Sequence, residues 1–260
     1  MDLDDAYANA PYIPDAESYP PRWAADAAQF REKMGARAEL DVPYGARARQ
    51  TYDFFSAEGA AKGTLVFVHG GYWLKFDKTS WSHFAEGGLA AGWDVALVQY
   101  DLCPTVSIGD ITNQIARAIR AIATRTKGPL SLTGHSAGGH LVARMLAPGM
   151  LPADVAGRIA RVAPISPVSD LRPLLQTTMN EQFGLTLASA SAESPVLQPS
   201  AEVPVRIWVG ADERPVFLEQ AQALAEAWDV DDIVVPHKHH FDIIDALKDA
   251  QSDLIRFLTG

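Results

Sequence analysis

Short apolar runs along the chain alternate with longer segments in which apolar residues recur every three or four positions. Mostly apolar runs of this kind predict buried strands, and they lie at 64–68, 94–98, 129–133, 159–165, 203–209 and 232–235. Residues 47–55 suit an outer strand. Because strands that alternate with helices form a parallel sheet covered on both faces, the pattern predicts an α/β fold.

Amphipathic segments between these strands predict the helices. The strongest stripe combines Ile111, Ile115, Ile119 and Ile122, and Asp110 is the expected N-cap of that helix. Further helices are expected at 22–34, 80–91, 139–147 and 217–228, and near the C-terminus at 243–258.

Two segments stand outside this alternation. Residues 1–40 contain four prolines between positions 11 and 21, which break any long element. We expect this N-terminal arm to pack on the surface rather than cover the mouth of a site. Residues 169–202 form a long irregular stretch, and a loop of that length in a compact domain is usually functional, so we expect a lid or insert there.

Composition narrows the class of protein. The chain has 260 residues, of which 48% are hydrophobic, and this predicts one globular domain over 1–260. Its formal charge of −10, without a basic run, argues against nucleic-acid or anionic-membrane partners. We see no signal peptide and no apolar stretch of about 18 residues that could span a membrane. With a single cysteine, a cytoplasmic location is expected.

A G-x-S-x-G motif centred on Ser136 joins the strand at 129–133 to the helix at 139–147. In that context the motif predicts a nucleophile elbow, a sharp turn that holds the serine in a strained conformation. Gly134 and Gly138 keep side chains away where strand and helix nearly touch. We therefore predict that Ser136 is a catalytic nucleophile.

A serine nucleophile requires a base and an acid, which in this chain order follow it. His237, His239 and His240 lie between the last strand and the last helix, where the base belongs. We favour His240 because it directly precedes that helix, and His239 is the alternative. His140 is excluded because it sits on the helix just after the elbow.

Two adjacent carboxylates follow the strand at 203–209 and compete for the role of acid. The usual spacing of glycine, two residues and acid selects Glu213 after Gly210, whereas Asp212 has the more common residue type. We favour Glu213, and Asp212 stays open.

The oxyanion formed during acyl transfer needs preorganised N–H donors. The backbone amide of Ala137, directly after the nucleophile, is one expected donor. The amides of Gly71 and Tyr72, in the loop after the strand at 64–68, are the others. Trp73 follows them and is expected to contact the substrate.

Two other chemistries fit isolated features. His237, His239 and His240 could bind zinc together with a carboxylate, but the two glycine motifs would then be unexplained. Cys103 as nucleophile lacks an elbow, and a buried structural thiol is the better interpretation. We expect no metal and no organic cofactor.

Several motifs together resemble the arylformamidase (kynurenine formamidase) branch of the α/β hydrolases, which is related to the hormone-sensitive-lipase-like esterases. The resemblance covers most of the chain from about residue 44 onward and rests on His69-Gly70-Gly71-Tyr72-Trp73, on the segment 134–140 and on His240-Phe241. It implies an α/β-hydrolase fold with Ser136, an acid three residues after Gly210, and His240. The acid in this branch is often aspartate, which is a departure here.

These observations predict a serine hydrolase that acts on a small-molecule aryl formamide or short-chain aryl ester through a covalent acyl-enzyme. The alternative is a general short-chain carboxylesterase or thioesterase without formamidase activity. A non-catalytic binding module with this fold is a more remote one, since fold does not fix function. The sequence is compatible with a homodimer and does not fix the oligomeric state.

Overall fold

A single eight-stranded sheet forms the centre of the protein in the computed structural model, which describes residues 2–200 and 202–260. The strand order is β1-β2-β4-β3-β5-β6-β7-β8. The strands are β1 Ala38–Pro43, β2 Thr51–Phe55, β3 Thr64–Val68, β4 Asp94–Val98, β5 Leu130–His135, β6 Ile159–Ile165, β7 Arg206–Gly210 and β8 Asp231–Val235.

From β4 to β8 every neighbouring pair of strands is parallel, whereas β1 pairs with β2 and β2 with β4 in antiparallel fashion. The carboxyl ends of the parallel strands therefore meet at one edge of the sheet, where ligands of such folds bind. The predicted α/β class with a mostly parallel sheet is confirmed.

Ten α-helices surround the sheet in the described ranges. They are α1 Leu3–Ala6, α2 Tyr19–Met34, α3 Glu86–Ala90, α4 Ile108–Arg125, α5 Ala137–Arg144, α6 Ala153–Ala156, α7 Asn180–Phe183, α8 Leu187–Glu193, α9 Pro215–Trp228 and α10 Asp253–Thr259. Short 3₁₀ helices lie at Ala10–Tyr12, Ala16–Ser18, Gly35–Arg37, Lys78–Ser80, Ser82–Ala85, Arg172–Gln176, Pro195–Leu197 and Ile243–Lys248. No helix of the described residues is long and apolar enough to cross a membrane.

The core lies on both faces of the sheet, because successive side chains of a strand point to opposite faces. Along β3, Val66 and Val68 pack in one cluster with the apolar faces of α4, α5 and α9. Leu65 and Phe67 point the other way and pack with α2 and α10. All five residues of this strand are buried, as the continuous apolar run predicted.

Several boundaries differ from the sequence prediction. The strand expected on the outside at 47–55 is an inner one, because β1 lies beyond it; the mostly exposed pattern of β1 gave no apolar signal. Ser107, not Asp110, caps α4, and Asp110 completes a capping box at the third helical position.

The predicted helix at 80–91 is shorter than expected, with two 3₁₀ turns before α3. The C-terminal helix is likewise divided into the 3₁₀ helix Ile243–Lys248 and α10, with the cap Ser252 beginning the second. The stretch 169–202, predicted as irregular, holds α7, α8 and two 3₁₀ helices. Its role as a lid stays a prediction.

Candidate active site

Ser136 occupies a sharp turn between β5 and α5. Its backbone has φ 56° and ψ −116°, a strained conformation for a residue with a side chain. The flanking glycines are required, since a Cβ on Gly138 would lie 2.0 Å from the Val68 carbonyl oxygen and one on Gly134 would lie 2.3 Å from that of Gly138. The sequence thus folds into the elbow that its motif predicts, and the Ser136 side chain borders a cavity.

His240 and Glu213 form a buried pair beside this turn. The Nδ1–H of His240 donates to Glu213 Oε2 at 2.6 Å, and the residues are 3% and 7% exposed. Asp212 is exposed and does not contact the ring, so Glu213 supplies the carboxylate that the spacing argument favoured. His240 and Ser136 line the same cavity. No hydrogen bond joins them among the described residues, and catalytic contacts of this kind often tighten only with substrate bound.

Two donors hold the other oxygen of Glu213. The backbone N–H of Gly210 donates to Oε1 at 2.8 Å, and the hydroxyl of Ser166 donates to it at 2.5 Å. Ser166 is fully buried and has a left-handed φ of 46° directly after β6. The sequence analysis missed this residue. Its position at the carboxyl end of a predicted buried strand was the only signal that could have indicated it.

His135, the residue before Ser136, holds the backbone of His240 in place. Its Nε2–H donates to the His240 carbonyl oxygen at 2.8 Å, which assigns the proton to Nε2 because a carbonyl can only accept. Burial lowers the pKa of His135 well below its ordinary value, and the nearby His240 ring acts in the same direction. His135 therefore stays neutral at physiological pH and keeps this hydrogen bond.

Three backbone amides near Ser136 have no acceptor in the part of the chain that the structure describes. Among residues 2–200 and 202–260, no protein atom accepts from the amides of Gly71, Tyr72 or Ala137. Gly71 has φ 110°, and a Cβ there would lie 2.5 Å from the Lys75 carbonyl oxygen, so a side chain would disrupt the loop. The predicted oxyanion donors are thus available for a ligand.

Trp73 does not take the position predicted for it. Its ring is fully buried in the core, where it makes edge contacts with His140 at 5.1 Å and Phe183 at 5.7 Å. The left-handed φ of 57° turns the chain under the loop, and the large apolar ring gains more by packing there. The prediction that Trp73 contacts substrate is wrong, and Tyr72 is the ring of this pair that borders the cavity.

The cavity has a volume of about 550 Å³, and six aromatic rings are among the side chains that line it. Those rings are Tyr7, Trp23, Tyr72, Phe76, Trp81 and Phe241. The expectation that the N-terminal arm packs away from the site is wrong, since residues 4–23 supply a large part of the wall. The arm carries apolar side chains that need burial, including Tyr7 and Trp23, at 1% and 4% exposed.

The three clustered histidines point in different directions. His237 is exposed, and His239 lies 3.1 Å from the Tyr19 hydroxyl. Within the described ranges, no group of three or more His, Cys, Asp or Glu side chains is placed to hold a metal ion. Cys103 is buried, and burial raises the pKa of its thiol to about 11, so it is a poor nucleophile at neutral pH.

Comparison with known proteins shows the family of the chain. A family model described as the α/β hydrolase fold matches residues 65–236. Kynurenine formamidases from Drosophila melanogaster and Danio rerio are 29% and 26% identical to the chain over 251 and 243 residues, and each alignment covers 88% of this chain and 83% of the relative. The arylformamidase-like resemblance is therefore confirmed.

Solved structures resemble the chain over all or most of its length. The crystal structure of a proposed thioesterase from Silicibacter sp. TM1040 is 54% identical, with a TM-score of 0.98 and 100% of both chains covered. Esterase B from Lactobacillus rhamnosis is 18% identical with a TM-score of 0.67, covering 94% of this chain and 92% of that one. This second likeness shows a shared fold.

Proposed function

The chain belongs to the α/β hydrolase family and is a hydrolase, and on that premise we propose that it cleaves an aryl formamide or a short-chain aryl ester with Ser136 as nucleophile, His240 as base and Glu213 as acid. The observation that carries the proposal is the buried His240–Glu213 hydrogen bond of 2.6 Å, beside the cavity that holds the strained serine. A buried carboxylate that accepts from Nδ1 leaves Nε2 of the ring free to act as a base.

In the first half-reaction, His240 Nε2 removes the proton from the Ser136 hydroxyl as its oxygen attacks the carbonyl carbon of the substrate. Glu213 stabilises the imidazolium that forms, and its second oxygen stays fixed by two donors. The imidazolium then gives its proton to the leaving nitrogen or oxygen, and the C–N or C–O bond breaks. A formyl or acyl group remains on Ser136.

In the second half-reaction, water replaces the leaving group. His240 removes a proton from water, the hydroxide oxygen attacks the acyl carbon, and the proton returns to Ser136 as the ester bond breaks. In both halves a negative charge develops on the carbonyl oxygen. The unpaired amides of Gly71, Tyr72 and Ala137 are the donors we assign to that charge.

The substrate class rests on the aromatic walls of the cavity and on the relatives named kynurenine formamidase. Flat aromatic rings contribute about 0.5–1.5 kcal/mol beyond buried area when they stack on another ring in offset or edge geometry. We therefore propose an aryl leaving group and a small acyl group. We also propose that the partner of this site is a small molecule and not a nucleic acid.

A short-chain thioesterase is the second candidate, and one observation favours it. The relative with 54% identity over the whole chain is a proposed thioesterase. A thioester passes through the same tetrahedral intermediate, so the triad geometry does not separate the two reactions.

A substrate panel tests the proposal. Purified protein is assayed with N-formylkynurenine, with phenyl esters of two, four and eight carbons, and with an acetyl thioester, each against a Ser136→Ala control. We expect kcat/KM to be highest for the formamide and the acetyl ester and to fall beyond about four carbons. A clear preference for the eight-carbon ester would contradict the small acyl site. If only the thioester is turned over, the protein is a thioesterase and the formamidase assignment fails.

A further inference from the structure

The loop that follows β3 contains a conformation that its own sequence does not favour. Gly71, Tyr72 and Trp73 have successive left-handed φ values of 110°, 55° and 57°. Glycine adopts this region freely, but an aromatic residue does so only when its surroundings hold it there. Trp73 is held by its burial in the core. The ring of Tyr72 borders the cavity, so its restraint must come from elsewhere.

The restraint comes from the N-terminal arm. The Tyr72 hydroxyl donates to the Tyr7 carbonyl oxygen at 2.7 Å and accepts from Asn9 Nδ2 at 2.8 Å. Burial raises the pKa of Tyr72 to about 12, so its hydroxyl keeps the proton that it donates at neutral pH. Asn9 is 4% exposed, and such a buried pair of hydrogen bonds fixes the position of the phenol oxygen.

The arm is itself anchored to the half of the molecule that carries the base. Tyr7 is 1% exposed, and its hydroxyl accepts from Gln220 Nε2 at 2.8 Å. Its ring makes an edge contact with Phe217, whose ring lies 4.3 Å from that of His240. A short chain of packed rings and hydrogen bonds therefore connects the loop that carries Gly71 and Tyr72, here called the oxyanion loop, with the surroundings of His240.

We propose that Asn9 and Tyr7 are positioning residues that hold the amides of Gly71 and Tyr72 in donor geometry by binding the Tyr72 hydroxyl. This inference rests on the proposed serine-hydrolase function. In this arrangement the segment 2–12 is a strap across the oxyanion loop, and its contact with Tyr72 contributes to the chemical step. A contact that served only to attach the arm would leave the chemical step unchanged.

The test compares Tyr72→Phe and Asn9→Ala with wild-type protein, using phenyl acetate as substrate and an aryl trifluoromethyl ketone as inhibitor. The ketone forms a tetrahedral adduct whose oxyanion requires the same donors. We expect kcat to fall roughly tenfold in each variant, below the effect of losing a whole oxyanion donor. KM and the inhibition constant of phenol should stay unchanged, while the inhibition constant of the ketone should rise by the same factor as kcat falls.

Tyr44→Phe is the matched control, because it removes a tyrosine hydroxyl that donates to a backbone carbonyl, that of Gln99 at 2.6 Å. Its kcat and its ketone inhibition constant should equal those of the wild type. The proposal is overturned if both constants of Tyr72→Phe and Asn9→Ala stay within about twofold of this control, or if only KM changes. Asn9→Ala keeps the Tyr72 side chain, so it gives a result even where Tyr72→Phe misfolds.

Ser136→Ala separates this inference from the proposed function. If Ser136→Ala retains wild-type turnover, both the serine mechanism and the positioning role fail. If Ser136→Ala is inactive while Tyr72→Phe and Asn9→Ala match Tyr44→Phe, the serine mechanism stands and only the positioning role is overturned.

Discussion

The floor and the N-terminal wall of the cavity are built in different ways. The floor carries Ser136 and His240, and Glu213 lies behind His240; all three are buried and follow the ends of β5, β7 and β8. The wall, residues 4–23, lies outside the sheet and is held both by buried side chains such as Tyr7 and by surface contacts such as the ion pair of Asp5 with Arg214 at 2.7 Å. We infer that the sheet positions the proposed triad, whereas the arm shapes what can enter and, through Tyr7 and Asn9, holds the loop that carries Gly71 and Tyr72.

The largest expected effect concerns the acid of the floor. Glu213→Gln should lower kcat by about 10⁴-fold, because the amide cannot hold His240 in the productive tautomer or stabilise its charged form. Asp212→Asn, an exposed neighbour, is the matched control and should change kcat by less than about threefold. Steady-state kinetics with phenyl acetate measures both. The reverse ranking would transfer the role to Asp212.

The second prediction concerns the stability of the fold in acid, which depends on two buried histidines outside the arm. All seven histidines follow residue 68. Burial lowers the pKa of His69 and of His140 to about 4 from 6.5. Between these values the unfolded chain binds protons that the folded chain does not, so stability falls as the pH drops. For each of these two histidines, the free energy of unfolding should fall by about 1.4 kcal/mol for every pH unit of acidification.

Urea unfolding between pH 7 and 4.5 measures this slope. His140→Gln keeps an N–H that can donate to Glu193 O. Relative to wild type, its free energy of unfolding should depend less steeply on pH, by the uptake of about one proton on unfolding. His237→Gln changes an exposed histidine and is the matched control. Equal slopes in all three proteins would show that His140 is not held neutral in the fold.

A smaller effect is expected at Ser166, which donates a hydrogen bond to Glu213. Ser166→Ala removes a hydroxyl donor to a buried carboxylate, an interaction worth about 1.5–3 kcal/mol, so kcat should fall roughly tenfold or more. Ser131→Ala loses a comparable buried bond to Leu258 O, far from Glu213 in the sequence and the sheet. It should lose stability but keep kcat. Equal activities of the two variants would remove Ser166 from the site.

The smallest effect should come from a surface contact of the wall. Asp4 accepts from the backbone N–H and the hydroxyl of Thr178, which joins the arm to the stretch 169–202. These bonds lie on the surface, so Asp4→Ala should raise KM for phenyl acetate by only about two- to threefold and leave kcat unchanged. Asp154→Ala, another surface carboxylate, is the control. A fall in kcat without a change in KM would contradict the assignment of this surface contact to substrate entry alone.

The same division shows which parts could be predicted from the sequence. The placement of Ser136, Glu213 and His240 at strand ends could be predicted, because Ser136 sits in a local motif and the other two follow apolar runs of the sequence. The prediction of β7 and β8, the strands that precede Glu213 and His240, rests on the hydrophobic pattern alone. Such local signals are enough to predict which residues meet, because a parallel sheet brings the carboxyl ends of its strands to one edge.

The wall could not be predicted, because nothing local marks it. Tyr7 and Trp23 contact residues that are distant in sequence, and no periodicity records such contacts. Ser166 was missed for a related reason, since its partner Glu213 lies 47 positions away. Trp73 was placed wrongly because the turn that buries it depends on two left-handed residues that are not glycine.

Active-site titration with a fluorophosphonate tests the central claim most directly. The reagent phosphonylates an activated serine, and peptide mass spectrometry locates the adduct while residual turnover of phenyl acetate is followed. We predict one adduct per chain, on Ser136, with activity lost in proportion to labelling and no labelling of Ser136→Ala. Full labelling of Ser136 with activity retained, or loss of activity with the adduct on another residue, would contradict the account.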